Sequence, residues 1–381
     1  MVWTMGTTLV PTGNFVGPNA IVRFAVVAAL LSSTILPAVA RKRSTSYKAP
    51  GKTNIEAATR LQIFLDRANF SPGKLDGHYG VFTWKALALY RQSRGEQPAL
   101  PPETKAKRDA APDVNGLDLA SVGPVFVPYT VTDGDLQSIG PLPTGVPEQA
   151  KLKFLPYRDA AEAIAEKFHS DVHFLGQLNP GKMKTIKAGD QLTVPNVDPF
   201  ELASVKDIKP GSDITPQVAN DIGDQPDSQK GNEDASKEAN TGQPVAPPTA
   251  VKIDTKTNML EVHEGDKLVA AYPVTIGSAQ TTSPIGEWKV RHITKMPTFR
   301  YDKEMLKHGK RSGNFHLLPP GPNNPVGVIW IALNKKGIGI HGTNDPDSIG
   351  RSASHGCVRL ANWDVVRLAT EIKNGDAVSI H

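Results

Sequence analysis

Cysteine is almost absent from this chain, which has one, Cys357, among 381 residues. A lone thiol has no intramolecular disulfide partner, so it is either a small buried side chain or a residue kept free for chemistry. Long apolar runs are also scarce, and residues 21–40 form the one long stretch of this kind. The net charge is small, +5 at pH 7, and favours no particular class of partner.

The apolar run near the start predicts export. One arginine precedes an apolar core that begins at Phe24, and Ala38-Val39-Ala40 has the small-x-small form of a cleavage site. We interpret residues 1–40 as a signal peptide, and the alternative is an uncleaved membrane anchor. Either interpretation predicts a protein of the periplasm or cell envelope, with membrane association only through an uncleaved leader.

A small helical module is predicted over residues 54–96. Apolar residues repeat at helical spacing over 61–68 and again over 84–90, with a turn between the two segments. This turn resembles the Asp-Gly-x-x-Gly-x-x-Thr turn of peptidoglycan-binding domains at four positions: Asp76, Gly77, Gly80 and Thr83. The alternative is a helical module with a purely structural role.

A second module, over residues 127–197, follows a stretch at 97–126 that is rich in Pro, Lys and Ala and reads as a linker. Its predicted order of strand, helix, helix, strand resembles a lysin-motif (LysM) module, a small α+β fold, and implies binding to glycan strands. Residues 136–158 are inserted between the first strand and the first helix, which departs from that family. A spacer domain without glycan binding is the alternative.

Two further segments complete the chain. Residues 207–250 contain almost no large hydrophobic side chains, so they cannot bury enough apolar surface to offset the entropy of ordering, and we predict a flexible tether. Residues 251–381 contain several segments with the alternation typical of strands. Within them, residues 295–325 are longer and less regular, and we interpret them as a substrate lid or as plain packing.

The chemistry is concentrated in two motifs of this last segment, Ile-His-Gly-Thr and Ser-His-Gly-Cys-Val-Arg-Leu. A thiol reacts as the thiolate, so a working cysteine requires a base or a positive field nearby, and His341 and His355 are the two candidates. Gly342 and Gly356 allow the backbone to turn tightly and approach a substrate. Asn362 is predicted to cap a helix behind the cysteine, whose dipole would favour a thiolate. The two motifs contain no clustered carboxylates and no second cysteine, so we predict no metal and no cofactor.

The two motifs resemble the active site of the L,D-transpeptidase catalytic domain, in which a His-Gly pair is followed after a loop by Ser-His-Gly-Cys. The resemblance extends over residues 251–381 and implies a mainly-β domain, with a sandwich-like mixed sheet and short helices. It implies Cys357 as the nucleophile and His341 as the proton donor and acceptor. Arg359 stands where many members have Asn, and it is either a partner for a substrate carboxylate or a surface arginine. Four residues take supporting positions: Ser354, His355, Gly356 and Gly342.

This resemblance implies a function in the cell wall, in peptidoglycan biosynthesis and cell shape. The cysteine is expected to form an acyl-enzyme with a peptidoglycan stem tetrapeptide and to transfer the acyl group to an amine. The implied partners are stem peptides and glycan strands, and no nucleic acid. Two alternatives stay open: an L,D-carboxypeptidase, in which water takes the acyl group, and a non-catalytic peptidoglycan-binding protein.

Overall fold

A computed structural model describes residues 52–98, 101–104, 109–207, 247–277, 282–308, 311–354 and 356–381. The predicted leader, most of the predicted tether and His355 lie outside these residues. Of the helices in the described part of the chain, none combines the length and the apolar character that crossing a bilayer requires.

The first module is a pair of helices, α1 (Lys52–Arg67) and α2 (Val81–Ser93). The buried side chain of Gln62 stabilises the turn between these helices. Its amide nitrogen donates to Asp76 Oδ1 at 2.8 Å, and its amide oxygen accepts a hydrogen bond from the Gly77 N–H at 3.1 Å. Gly77 has a φ of +74°, a conformation that favours glycine. The predicted helical module is therefore present, and these motif residues have a structural role within the turn.

The stretch that the composition predicts as a linker is packed where it is described. A short 3₁₀ turn spans Leu119–Val122, and Val122 and Val125 are buried in the same cluster as Ile63 and Ile164. The prediction of an open linker is wrong for this part. Apolar side chains set among the prolines and lysines give it a buried face.

The second module follows the predicted order of elements. Strands β1 (Phe126–Thr130) and β2 (Gln191–Pro195) pair antiparallel, and helices α5 (Ala160–Lys167) and α6 (Val172–Leu178) lie between them in sequence. Two short helices, α3 (Asp133–Leu136) and α4 (Val146–Gln149), occupy the inserted region. A further 3₁₀ segment, Leu202–Asp207, follows this module.

The C-terminal domain is built on one mixed sheet of eight strands. These are β3 (Thr249–Asp254), β4 (Met259–Glu264), β5 (Lys267–Pro273), β7 (Gly286–Lys295), β10 (Ile329–Leu333), β11 (Gly339–His341), β13 (Val358–Arg359) and β14 (Ala377–Ile380). Their order across the sheet is β13-β11-β10-β7-β14-β3-β4-β5. The β11–β13 and β14–β3 pairs are parallel, and the other neighbours are antiparallel.

Smaller elements complete this domain. Helix α8 (Asn362–Glu371) shares one buried cluster with residues from all eight strands, which indicates that the sheet curls around it. A strand pair joins β6 (Ile276–Gly277) to β12 (Ser352–Ser354), and a 3₁₀ turn spans Pro346–Ser348. The mainly-β fold with a mixed sheet and short helices is confirmed.

The irregular segment that we interpret as a lid contains a small hairpin. Strands β8 (Phe299–Tyr301) and β9 (His316–Leu318) pair antiparallel, with helix α7 (Lys303–His308) between them. The chain that follows β9 is bound to the insertion of the second module, because the Leu155 N–H donates to the Pro320 carbonyl at 2.9 Å. The insertion that departs from the LysM pattern thus supports the end of this segment.

Both N-terminal modules pack against the C-terminal domain. Leu61 and Leu65 of α1 share a buried cluster with Met259 and Leu268 of the sheet. The Ser71 N–H also donates to the Ala271 carbonyl at 2.8 Å. The two N-terminal modules and the C-terminal domain are therefore parts of one packed unit.

Candidate active site

The His-Gly and Ser-His-Gly-Cys motifs meet at an edge of the large sheet. Strands β11 and β13 run parallel there, with Ile340 opposite Val358 and His341 opposite Arg359. Cys357 directly precedes β13, so the sheet brings together residues that are 16 positions apart in sequence. Ser354 ends strand β12 and pairs with Gly277. The predicted base and nucleophile thus stand on adjacent chain segments.

His341 is a buried, neutral histidine with a fixed proton. Its Nδ1 lies 2.6 Å from the carbonyl oxygen of Gly342, and because a carbonyl only accepts, Nδ1 carries the hydrogen. Burial, and to a lesser degree the charge of Arg359, lowers the pKa of His341 to about 3. Nε2 is therefore the unprotonated nitrogen at neutral pH and is available to accept a proton.

Cys357 is a half-buried thiol at the edge of a small hydrophobic cluster. It packs against the cluster of Val326, Trp330 and Ala332, and its S–H points to the Gly337 carbonyl at 3.7 Å. Burial raises the pKa of the thiol, while the Gly339 backbone N–H and the charge of Arg359 act in the opposite direction. The directions of these two pKa shifts favour a neutral thiol and a neutral imidazole.

Arg359 is a partly buried cation beside both groups. Its backbone is fixed by a pair of 2.9 Å hydrogen bonds with Thr275, one in each direction. Its Nε is buried and has no hydrogen-bond partner among the described residues. Burial lowers the pKa of Arg359, whereas Cys357 and Asp345 raise it. A guanidinium held in this way offers an open donor for an anionic group.

Gly342 has no room for a side chain. A Cβ at this position would lie 2.2 Å from Asn362 Oδ1 and 3.1 Å from the Cα of Gly327. The same Asn362 oxygen accepts the Val328 N–H at 3.2 Å. The glycine of the His-Gly motif therefore lets the loop after the base pack directly against the start of α8.

One expectation about that helix is wrong. Ala361 is the N-cap residue, and Asn362 is the first helical residue, whose side chain accepts the Val328 N–H instead of capping the helix. The two-residue strand β13 lies between Cys357 and the helix start in sequence. The effect of the helix dipole on the thiol stays a prediction.

Trp330 belongs to the site but was not singled out from the sequence. It is the cross-strand partner of His341, and the two rings are stacked with centroids 5.2 Å apart and planes 14° apart. It also belongs, with Val326 and Ala332, to the buried cluster against which Cys357 packs. The available signal was its place in the apolar strand that pairs with the His-Gly strand, since directly opposed side chains share a face.

Comparisons with known proteins agree with this geometry. The sequence profile of the L,D-transpeptidase catalytic domain, the YkuD family, matches residues 248–380. The Bacillus subtilis protein named L,D-transpeptidase YqjB is 33% identical over 135 residues, which are 34% of this chain and 69% of that protein. The chain belongs to the L,D-transpeptidase family. The profile ends within one residue of the last residue of this chain.

Other relatives share the same domain. The Bacillus licheniformis protein named L,D-transpeptidase YkuD is 33% identical over 133 residues, which are 35% of this chain and 66% of that protein. Escherichia coli YbiS, named an L,D-transpeptidase, is 33% identical over 119 residues, 30% of this chain and 38% of that protein. The match thus covers slightly less than two thirds of the YkuD relative, and both alignments are confined to about a third of this chain.

No group of three or more His, Cys, Asp or Glu residues in the described ranges is arranged to hold a metal ion.

Proposed function

We propose that this chain is a cysteine-dependent L,D-transpeptidase that acts on peptidoglycan, with Cys357 as the nucleophile and His341 as the proton donor and acceptor. The observation that carries the proposal is the parallel pairing of β11 with β13, which places the two motifs side by side. The hydrogen bond from Nδ1 to the Gly342 carbonyl supports the base role, because it leaves Nε2 free to take the thiol proton.

The acylation step starts from two neutral groups. As Sγ of Cys357 attacks the carbonyl of the third residue of a stem tetrapeptide, its proton passes to His341 Nε2. The tetrahedral intermediate collapses with rupture of the bond to the terminal D-alanine. The imidazolium returns the proton to the departing amine, which leaves a thioester on the sulfur and a neutral histidine.

The second step reverses these proton movements. An amine on a neighbouring stem attacks the thioester while His341 takes the amine proton, and Cys357 leaves as a thiol that recovers it. A new amide bond forms and the enzyme is regenerated. If water attacked in place of the amine, the same residues would release a shortened stem, which is the carboxypeptidase outcome.

The remaining motif residues have supporting roles in this proposal. Arg359 is proposed to hold the substrate carboxylate, supported by its partial burial and its unpartnered Nε. Gly342 allows close packing of the loop after the base, and Gly356, with a φ of +105°, shapes the turn before the nucleophile. We assign Ser354 and His355 to shaping the same turn.

The N-terminal modules are proposed to bring the active site to the wall by contact with glycan strands, and export to the cell envelope belongs to the same proposal. The segment around β8 and β9 is proposed as a substrate lid, supported by the packing of Phe299 and Cys357 against the same small cluster, Val326, Trp330 and Ala332. The lid and the glycan contacts would together orient a stem over the sheet edge.

A product assay tests the proposed function. The full chain is incubated with a stem tetrapeptide, with and without a stem that carries a free amine, and D-alanine release and product masses are measured. We expect D-alanine release with a cross-linked dimer in the presence of the acceptor. A shortened monomer as the only product would identify a carboxypeptidase. No release under either condition would favour a non-catalytic wall-binding protein.

A further inference from the structure

The aromatic ring of Trp330 lies parallel to the imidazole of His341. The two residues face each other across β10 and β11, and both are nearly buried, with 6% and 3% of their surface exposed. Stacking at a centroid distance of 5.2 Å restricts rotation of the imidazole about its χ2 bond. The Nδ1 hydrogen bond to Gly342 fixes one edge of the ring, and Trp330 fixes its plane.

The same indole also lies against the strand that carries His341, near the proposed nucleophile. Cys357 packs against the small buried cluster of Val326, Trp330 and Ala332. Trp330 further covers Gly339, where a Cβ would lie 2.7 Å from the indole Cζ2. One rigid side chain thus stacks on the proposed base and belongs to the cluster that borders the proposed nucleophile, and a glycine on the neighbouring strand makes room for it.

The imidazolium formed during proton transfer has few other stabilising groups. Among the described residues, the one hydrogen bond of the ring is to the Gly342 carbonyl, and no carboxylate forms an ion pair with it. The charged group that acts on it is Arg359 from β13, which opposes a second positive charge, and a thiolate formed at Cys357 during the reaction would favour it. The face of an indole attracts a cation electrostatically.

We infer that Trp330 is a positioning residue for the reaction: it holds the plane of His341 relative to Cys357 and stabilises the imidazolium through its π face. The inference deepens the proposed function and rests on its assignment of His341 as the base. If Trp330 had only a structural role in the core, its substitution would impair folding, and the size of that effect would not depend on His341.

The test measures alkylation of Cys357 by iodoacetamide in the full chain across pH, for Trp330→Phe and Trp330→Leu. Phe keeps a π face, whereas Leu keeps an apolar side chain without one. We expect the Phe variant to react within about threefold of wild type, and the Leu variant roughly tenfold more slowly near neutral pH. The Leu profile is expected to shift to higher pH, because the thiolate then forms without a stabilised imidazolium.

A double-mutant cycle separates this role from a structural one. In a His341→Gln background, Trp330→Leu should slow alkylation no further, because the cation that it stabilises is absent. Trp288→Leu is the matched control, since Trp288 packs against the same sheet core but its indole donates to Pro284, outside the site. This control should leave the alkylation profile unchanged.

Three results would overturn the inference: wild-type reactivity of Trp330→Leu, equal loss in Trp330→Phe and Trp330→Leu, or an undiminished effect in the His341→Gln background. The readout involves no stem peptide. Failure of transpeptidation with the expected alkylation pattern would therefore count against the proposed function and leave the role of Trp330 intact.

Discussion

The carboxylate of Asp66 accepts hydrogen bonds from both terminal nitrogens of Arg367, at 3.0 and 2.9 Å. Asp66 lies in the last turn of α1, in the first helical module. Arg367 lies on α8, the helix that follows the proposed nucleophile. His169 of the second module places its Nδ1 3.1 Å from the same carboxylate and stacks on Trp363. All three modules therefore meet at one buried carboxylate.

This cluster predicts that loss of the carboxylate destabilises the whole unit. Asp66 is fully buried, so Asp66→Ala leaves the Arg367 guanidinium without its partner, which typically costs about 3–5 kcal/mol. Denaturant unfolding of the full chain measures the effect. Glu56→Ala in the same helix is the control, because its pair with Arg60 is on the surface and contributes no more than about 1 kcal/mol. Equal stabilities of the two variants would contradict the account of the junction.

The N-terminal modules are also expected to be required for a stable C-terminal domain. Deleting residues 41–206 exposes Met259 and Leu268 of the sheet and leaves Arg367 and Asp364 without Asp66 and Ser71. We expect the truncated chain to unfold at lower denaturant concentration and to lose activity on a soluble tetrapeptide. A truncated chain with full stability and activity would show that the modules are independent anchors.

Stability should fall as the pH rises through the neutral range. Burial raises the pKa of Asp364 to about 8, so this carboxyl is protonated in the folded protein at pH 7 and ionised in the unfolded chain. A raised folded pKa gives stability that is full below the unfolded value of about 4 and is lost as the pH rises toward 8. Asp364→Asn should flatten the unfolding free energy between pH 5 and pH 8, and an unchanged slope would contradict this assignment.

Substitution of Gly342 should impair both folding and chemistry. The Cβ of Gly342→Ala would meet Asn362 Oδ1 at 2.2 Å, which predicts a loss of about 1–3 kcal/mol in stability. Displacement of the neighbouring base is expected to lower the alkylation rate of Cys357 by about 10²-fold. Gly313→Ala, where no atom lies within 4 Å of the added Cβ, is the control and should be nearly neutral. Normal alkylation in Gly342→Ala would indicate that the loop adapts.

The sequence predicted most of the secondary structure for physical reasons. Alternation over residues 251–262 corresponds to β3 and β4. Local spacing carries this information, because it reflects which side chains face the core. The roles of Cys357 and His341 came from the resemblance of the two motifs to a family and stay predictions, and the pairing of β11 with β13 shows that the two motifs meet.

The packing between modules was beyond that kind of inference. Asp66 and Arg367 are 301 residues apart, and each is a charged helical residue of the type usually found on a surface. The second base candidate, His355, is not among the described residues, so its role stays a prediction. The stack of Trp330 on His341 required the strand register, which single-sequence patterns do not determine.

The most direct test of the central claim is the intact mass of the full chain after brief exposure to a stem tetrapeptide without acceptor. We predict a mass increase equal to the acyl tripeptide, mapped by proteolysis to the peptide containing Cys357. The adduct should be absent from Cys357→Ala, which should keep wild-type unfolding behaviour and lose turnover by about 10⁴-fold or more. An adduct or turnover that persists in Cys357→Ala would contradict the assignment of the nucleophile.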